Sequence, residues 1–326
     1  MLNIATIGTS SITKTFMEAA GRNDEVKAEA VYSRDLEKAR QFGEPYGVSK
    51  FYDKLEDLAA DKDIAAVYVA SPNSLHCEQV LQMLKAGKHV LCEKSLASNA
   101  AEAQLMLQTA QENHVVLLEA LRSIHDPSMR QIKKSLPKLG AIRKACLEYC
   151  QYSSRYDAFK NGDVKNIFKK EFSAGALMDI GVYGVEILLF LFGEPEKTTA
   201  YPVFLENGID GAGSIMAEYE DIISEVSYSK ITASSNFSQI QGENGTMYIE
   251  EIANPRSAFI EYLDGTGENI KITECENNMC YELDYFCRAV KGEVDPAYFQ
   301  GISQMSMELM DRSREQMGLV FPADAK

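Results

Sequence analysis

Five mainly apolar runs punctuate the first 120 positions: LNIATIG, VKAEAVYS, IAAVYVASP, HVLCEK and VVLLEA. Runs that stay apolar instead of alternating with polar residues are strands buried on both faces. Such strands belong to a parallel sheet covered by helices on each side. Stretches with helical spacing lie between them. DLEKARQFGEPYG opens on Asp35, a good cap residue; SLHCEQVLQMLKAGK opens near Ser74 and stops at Gly87; NAAEAQLMLQTAQENH opens near Asn99. This alternation predicts a doubly wound α/β domain over residues 1–120.

The rhythm changes after residue 121. Residues 122–195 read as mainly helical, interrupted by a strand in IRKACLEYCQY, and residues 196–274 read as successive strands. Turns are expected around Glu220–Asp221, at Gly242–Gly245 and at Asp264–Gly267. The tail returns to helix, and its Met305, Met307, Met310 and Met317 suit packing. A second domain over 121–326 is therefore expected, of α+β class and built on an open, mainly antiparallel sheet. VEILLFLFG (185–193) is the most apolar run and too short to span a bilayer, so its expected place is a core helix.

Composition narrows the function classes. The chain has 326 residues and a formal net charge of -15, with no basic stretch to offset it. That charge repels phosphate backbones and argues against nucleic acid. No secretory signal is expected from the opening MLNIATIGTS, and no membrane partner. Seven cysteines at 77, 92, 146, 150, 275, 280 and 287 lack the spacing of a disulfide framework, and no histidine lies near Cys146 and Cys150. Buried thiols in a reducing cytoplasm, and no metal, are the expectation.

IATIGTSSITKTFMEAA reads as strand, tight turn and helix, the context in which a dinucleotide fingerprint G-x-G-x-x-G occurs. The chain has Gly8-Thr9-Ser10-Ser11-Ile12-Thr13, keeping only the first glycine. Ser10 stands where a glycine would let backbone approach a pyrophosphate, and Thr13 where one packs helix on strand. A small side chain still allows approach, and hydroxyls donate to phosphate at a helix N-terminus. An ordinary βα turn is the competing reading. The second strand ends on Ser33 and Arg34, where an NAD site usually carries a carboxylate for the ribose 2′-hydroxyl. Arginine and a hydroxyl suit a 2′-phosphate, and Lys38 adds charge. NADP(H) is therefore expected, with NAD(H) as the alternative.

The stretch VASPNSLHCEQVLQMLKAGKHVLCEKSLA carries Pro72, Asn73 and His76, then Gly87 to Val90, then Glu93 and Lys94. It resembles the signature of the glucose–fructose oxidoreductase / inositol dehydrogenase / MocA family. SAGALMDIGVYGVE (173–186) resembles that family's second signature, in the tyrosine form of its glucose–fructose oxidoreductase and dihydrodiol dehydrogenase branches. The resemblance implies a Rossmann domain, then an open-sheet domain whose face often makes a dimer, and a carbohydrate-like substrate lying between them. It implies cofactor contacts from Ser71, Pro72, Asn73 and Glu93. It further implies an active-site lysine at Lys94 and an acid/base at Tyr183. His76 is counted with the cofactor loop, where it would orient the turn.

The chemistry can also be argued from the residues. Oxidising an alcohol removes a hydride and a proton, and tyrosine is a poor base unless its phenolate is favoured. An ammonium beside it does that, so Lys94 and Tyr183 form a working pair, of a kind worth about 10²–10⁴ in rate. Asp179 lies four residues before Tyr183, on the same face of a regular helix, and could hold Lys94 or a substrate hydroxyl. Arg122 could contact substrate or cofactor, with a surface ion pair as the alternative. His125, Tyr152 and Arg155 are further cleft candidates. The reading that follows is an oxidoreductase acting on a sugar, polyol or cyclic diol. Two alternatives are a dinucleotide-binding regulator of the same fold, against which the Lys94–Asp179–Tyr183 set argues, and a glycoside-cleaving relative. Relatives usually carry proline after the lysine. Ser95 stands there, and a non-proline cis bond costs about 2.5–4 kcal/mol, so a trans Lys94–Ser95 peptide is expected, with Lys94 aimed at the cleft.

Overall fold

In the computed structural model, which describes residues 1–325, strand β1 (Leu2–Ile7) lies inside a six-stranded parallel sheet. The other strands are β2 (Val26–Tyr32), β3 (Lys50–Tyr52), β4 (Ala66–Val69), β5 (His89–Cys92) and β6 (Leu117–Glu119), and the spatial order is β3-β2-β1-β4-β5-β6. Ile4, Ala5, Val67, Val69, Val90 and Leu91 have no accessible surface, the burial that a continuously apolar run predicts. Helices α1 (Ser11–Ala20), α2 (Leu36–Gly43), α3 (Leu55–Ala60), α4 (His76–Lys85) and α5 (Ala100–Glu112) connect the strands. Asp35 caps α2 by accepting from the Glu37 and Lys38 amides, and Asn99 caps α5 by accepting from Glu102 at 2.9 Å. The chain order reverses between β1 and β4. In a doubly wound sheet a ligand crevice opens at that point, outside the carboxyl ends of the strands.

The other sheet follows α6 (Arg122–His125) and α7 (Pro127–Ser135). It begins with β7 (Ile142–Cys150), after which the chain forms α8 (Tyr156–Lys160), a π-helical turn at Leu177–Gly181 and α9 (Val182–Phe192). Its remaining strands are β8 (Lys197–Phe204), β9 (Asp210–Glu218), β10 (Ile223–Ser229), β11 (Phe237–Gly242), β12 (Gly245–Glu250), β13 (Ser257–Tyr262) and β14 (Gly267–Asn269). They order as β14-β13-β12-β11-β7-β10-β9-β8, antiparallel throughout except for the parallel β7–β10 pair. Hairpins turn at all three places the sequence marks. The helical run Lys170–Phe192 is longer than the apolar segment suggested and meets the length and hydropathy of a membrane span. Its most apolar window is 89% buried, which makes it a core helix.

Helices α10 (Met279–Val290) and α11 (Ala297–Met317) follow, and a short 3-10 turn comes after them at Pro322–Ala325. The chain divides into two units: residues 1–120 with 277–304, and residues 121–276 with those from 305 onward. Residues 277–304 thus group with the first unit and not with the expected second domain, a return that a hydrophobic pattern does not show. Asn277 donates to the Thr15 carbonyl at 2.8 Å, and Gln300 to that of Leu117 at 2.9 Å. The pattern also missed β3 and α3, which are too short to show periodicity.

Helix α9 packs on β10 without room for a side chain at the contact. A Cβ on Gly184 would lie 2.5 Å from Val226 Cγ1, inside a fully buried layer. Gly184→Ala should therefore destabilise the protein by about 1–3 kcal/mol despite alanine's better helix propensity. A urea midpoint equal to that of the unsubstituted protein would contradict this packing.

Candidate active site

Gly8 ends β1 at φ +114°, a backbone conformation open to glycine, and a Cβ there would meet the Ala70 carbonyl oxygen at 2.7 Å. The turn therefore passes hard against the end of β4. Ser10, Ser11 and the partly exposed Thr9 and Ile12 follow at the open N-terminus of α1, whose first amides have no partner within the helix. Thr13 behaves differently. It is fully buried, accepts from the Ser10 amide at 3.3 Å, and lies 3.2 Å from Ser10 Oγ. Its hydroxyl is engaged within the turn. Glycine at position 8, small polar residues and free helix amides fit a pyrophosphate.

At the end of β2, Arg34 and Lys38 are exposed and Ser33 is half-buried. Arg34 makes no ion pair among the described residues, whereas Lys38 lies 3.8 Å from Asp35. Asp35, the carboxylate that follows Arg34 in the chain, accepts from the Glu37 and Lys38 amides as the cap of α2. The side chains here are thus cationic and hydroxyl groups, a donor set that suits a phosphate.

The loops after β4 and β5 are tied by His76. This fully buried residue places its ring nitrogens 2.8 Å from the Ser71 carbonyl and 3.0 Å from the Ser95 carbonyl. Burial lowers its pKa, with the two carbonyls opposing, so the ring positions both loops and has no surface for a ligand. Its grouping with the cofactor contacts is corrected accordingly. Ser71 Oγ donates to Gln79 at 2.7 Å, and Pro72 and Asn73 remain partly exposed beside it. Glu93, 7% exposed, accepts from Tyr68, whose fully buried ring stacks on Phe16.

The Lys94–Ser95 peptide is cis, not trans as expected. Its buried surroundings, absent from a local cost, account for the difference. Ser95 has no accessible surface, its carbonyl faces His76, and the next amide, of Leu96, donates to Glu119 at 2.8 Å. Lys94 is half-buried and close enough to lower the pKa of both His76 and Glu119. Desolvation nevertheless pushes Glu119 up to about 7, with the Glu93 charge adding to it.

In the other unit, Tyr183 opens α9 with only 6% of its surface exposed. The Arg122 guanidinium lies 5.5 Å from its ring centroid, and Tyr149 of β7 meets it edge-on at 5.6 Å. Arg122 thus stands at the tyrosine. Asp179 sits in the π-helical turn and is paired with Lys230, a partner that sequence spacing did not suggest. Asp210, at the start of β9, is another missed residue. It accepts from the Leu177 amide at 2.6 Å and is pushed up to about 6, chiefly by burial.

The remaining candidates fall elsewhere. His125 is almost completely buried, which drives its pKa down to about 3 and leaves it neutral. Tyr152 belongs to an exposed cluster, donating to Asp157 at 2.8 Å and accepting from Lys160 at 2.9 Å. Arg155 is exposed at the start of α8.

The raised pKa of Glu119 has a sign. Its folded value lies above the ordinary carboxylate value, so its contribution is fully favourable below about 4.5 and is lost as pH rises through about 7. Glu119→Gln should therefore lose less thermal stability than the unsubstituted protein between pH 5 and 8 in a melting series. Parallel curves would contradict the buried-carboxyl account.

The N-terminal Rossmann model of the GFO/IDH/MocA oxidoreductases, described as NAD-binding, matches residues 2–121, and the family's C-terminal domain model matches residues 131–248. The chain is 41% identical over 327 residues to the scyllo-inositol 2-dehydrogenase (NADP(+)) IolU of Bacillus subtilis, covering 99% of each. It is 31% identical to the trans-1,2-dihydrobenzene-1,2-diol dehydrogenase of Xenopus tropicalis, covering 90% of each. Its fold matches KijD10, a 3-ketoreductase of Actinomadura kijaniata solved with NADP and TDP-benzene, at a TM-score of 0.88, with 22% identity and coverage of 97% and 98%. With both domain models matched in order and a relative similar from end to end, the chain belongs to the GFO/IDH/MocA oxidoreductase family.

Proposed function

We propose that this protein is an NADP(H)-dependent oxidoreductase. It interconverts a secondary alcohol and a ketone on a six-membered carbocycle carrying vicinal hydroxyls. The observation that carries this reading is the end-to-end similarity to the NADP(+)-linked scyllo-inositol dehydrogenase. The dihydrobenzenediol dehydrogenase supports the ring class, because its named substrate is also a six-membered ring with neighbouring hydroxyls. Arg34, exposed and outside any ion pair among the described residues, supports a 2′-phosphate, and Asp35 is engaged as a helix cap.

Bound NADP supplies the hydride acceptor in oxidation and the donor in reduction. Gly8, Thr9, Ser10, Ser11 and Ile12 would hold its pyrophosphate; Ser33, Arg34 and Lys38 its 2′-phosphate; Ser71, Pro72, Asn73 and Glu93 its nicotinamide half. The protein's own chemistry is the proton. As the carbinol C–H bond breaks, the hydroxyl proton passes to the Tyr183 oxygen, and in reduction it returns to the new alkoxide. Lys94 stabilises negative charge on that oxygen, and the Arg122 guanidinium near the ring acts in the same sense. Asp179, held by Lys230, accepts from a neighbouring substrate hydroxyl. A cytoplasmic homodimer formed through the sheet of the second unit completes the reading. Half-buried Tyr248 and Phe259, stacked at 4.8 Å, offer part of such a face.

Two measurements test the assignment. Tyr183→Phe and Lys94→Ala should each lower kcat for scyllo-inositol oxidation by about 10²-fold or more, with NADP+ affinity kept for the tyrosine variant. Full rates in both would overturn the mechanism. Arg34→Ala should weaken NADPH binding at least about ten-fold and leave NADH binding nearly unchanged. Equal affinities for the two nucleotides before and after substitution would overturn the cofactor choice.

A further inference from the structure

Inside a regular α-helix, Asp179 and Tyr183 would share a face by spacing alone. The turn that carries Asp179 is π-helical at Leu177–Gly181, so helix geometry does not by itself aim the carboxylate. Lys230, the residue after β10, does so by its ion pair. We propose that Lys230 is a positioning residue for the reaction: its buried ammonium fixes the Asp179 carboxylate and, through the π-helical turn, the placement of Tyr183. The inference rests on the reading of Tyr183 as acid/base.

Four observations converge on it. Lys230 is 5% exposed, and its ammonium pairs with Asp179. A buried ammonium is retained at such a place only with a matched partner. Both backbone groups of Lys230 are fixed, its amide donating to the Gly211 carbonyl at 2.8 Å and its carbonyl accepting from the Ser153 amide at 2.9 Å. The base of the lysine is therefore as constrained as its tip. Gly211 adjoins Asp210, whose carboxylate holds the Leu177 amide at the other end of the turn. Finally, the turn lies flush on β10. A Cβ on Gly181 would come within 3.0 Å of the Tyr228 ring, and one on Gly175 within 1.9 Å of Asp210 Oδ1. The turn is thus pinned at its start by Asp210, in its middle by Lys230 and at its end by the Gly181 contact with Tyr228, with Gly175 packed on Asp210 just before it. Of these, Lys230 alone pairs with a side chain of the proposed catalytic set, Asp179.

The test is a double-mutant cycle on Asp179→Asn and Lys230→Met, with Lys230→Arg as the charge-conserving control. Turnover is read with NADP+ and scyllo-inositol, and amide hydrogen exchange is read over residues 175–185. If Lys230 acts through Asp179, Lys230→Met lowers kcat about ten-fold or more in the native background and adds almost nothing in the Asp179→Asn background. Nucleotide affinity stays constant, Lys230→Arg recovers most of kcat, and exchange in 175–185 quickens in Lys230→Met. Multiplicative losses, or unchanged kcat and exchange in Lys230→Met, would overturn the proposal. Should Lys230→Met not fold, the neutral pair Asp179→Asn with Lys230→Gln decides by its exchange: fast exchange in 175–185 supports the anchor, and native exchange refutes it. The exchange readout needs no turnover, so failure of the substrate or of Tyr183 as acid/base is seen separately from failure of the anchor.

Discussion

A parallel sheet can expose polar chemistry at its carboxyl edge only if the backbone beneath that edge is satisfied from within. Here a single imidazole does much of that. His76 sits without accessible surface between the carbonyls of Ser71 and Ser95, and so ties the loop after β4 to the loop after β5. Glu119 supports the same loop from the next strand through the Leu96 amide. With these contacts made, Pro72 and Asn73 stay partly exposed, and Glu93 and Lys94 arrive at the mouth of the sheet on a fixed backbone.

The other unit solves a similar problem with a carboxylate. The helix that carries Tyr183 starts beside Asp210, whose negative charge complements the helix N-terminus while burial resists its ionisation. Glycines at 175, 181 and 184 let the helical run settle directly on Asp210, Tyr228 and Val226. Close approach, and not helix propensity, decides these positions. Both units thus hold buried ionisable groups beneath these segments, Glu119 in one and Asp210 in the other, whose pKa values desolvation raises.

Much of this was legible in the sequence because burial and alternation are local signals. The continuous apolar runs set out the parallel sheet, Asp35 and Asn99 marked two helix starts, and three turn clusters marked the hairpins. Membership of the family was readable from two spaced signatures. Less legible was everything that depends on contact between distant segments. Lys230 ends an ordinary-looking strand and lies 51 residues from Asp179. Asp210 looks like a turn residue until Gly175 is seen beneath it. Helix α10 joins the first unit although more than 150 residues separate it from β6. The cis Lys94–Ser95 bond was misjudged for the same reason, since its partners, His76 and Glu119, lie outside the tetrapeptide. Such features are fixed by tertiary contact, which overrides local preference.

The proposed reaction is hydride transfer between a ring alcohol and NADP. Its most direct test is a single-turnover experiment in which the protein, saturated with NADP+, is mixed with scyllo-inositol carrying deuterium or hydrogen at its carbinol carbons. The account predicts that NADPH absorbance rises in the first turnover and that deuterium slows the rise, the mark of C–H cleavage in the observed step. Nucleotide bound tightly but never reduced would contradict it.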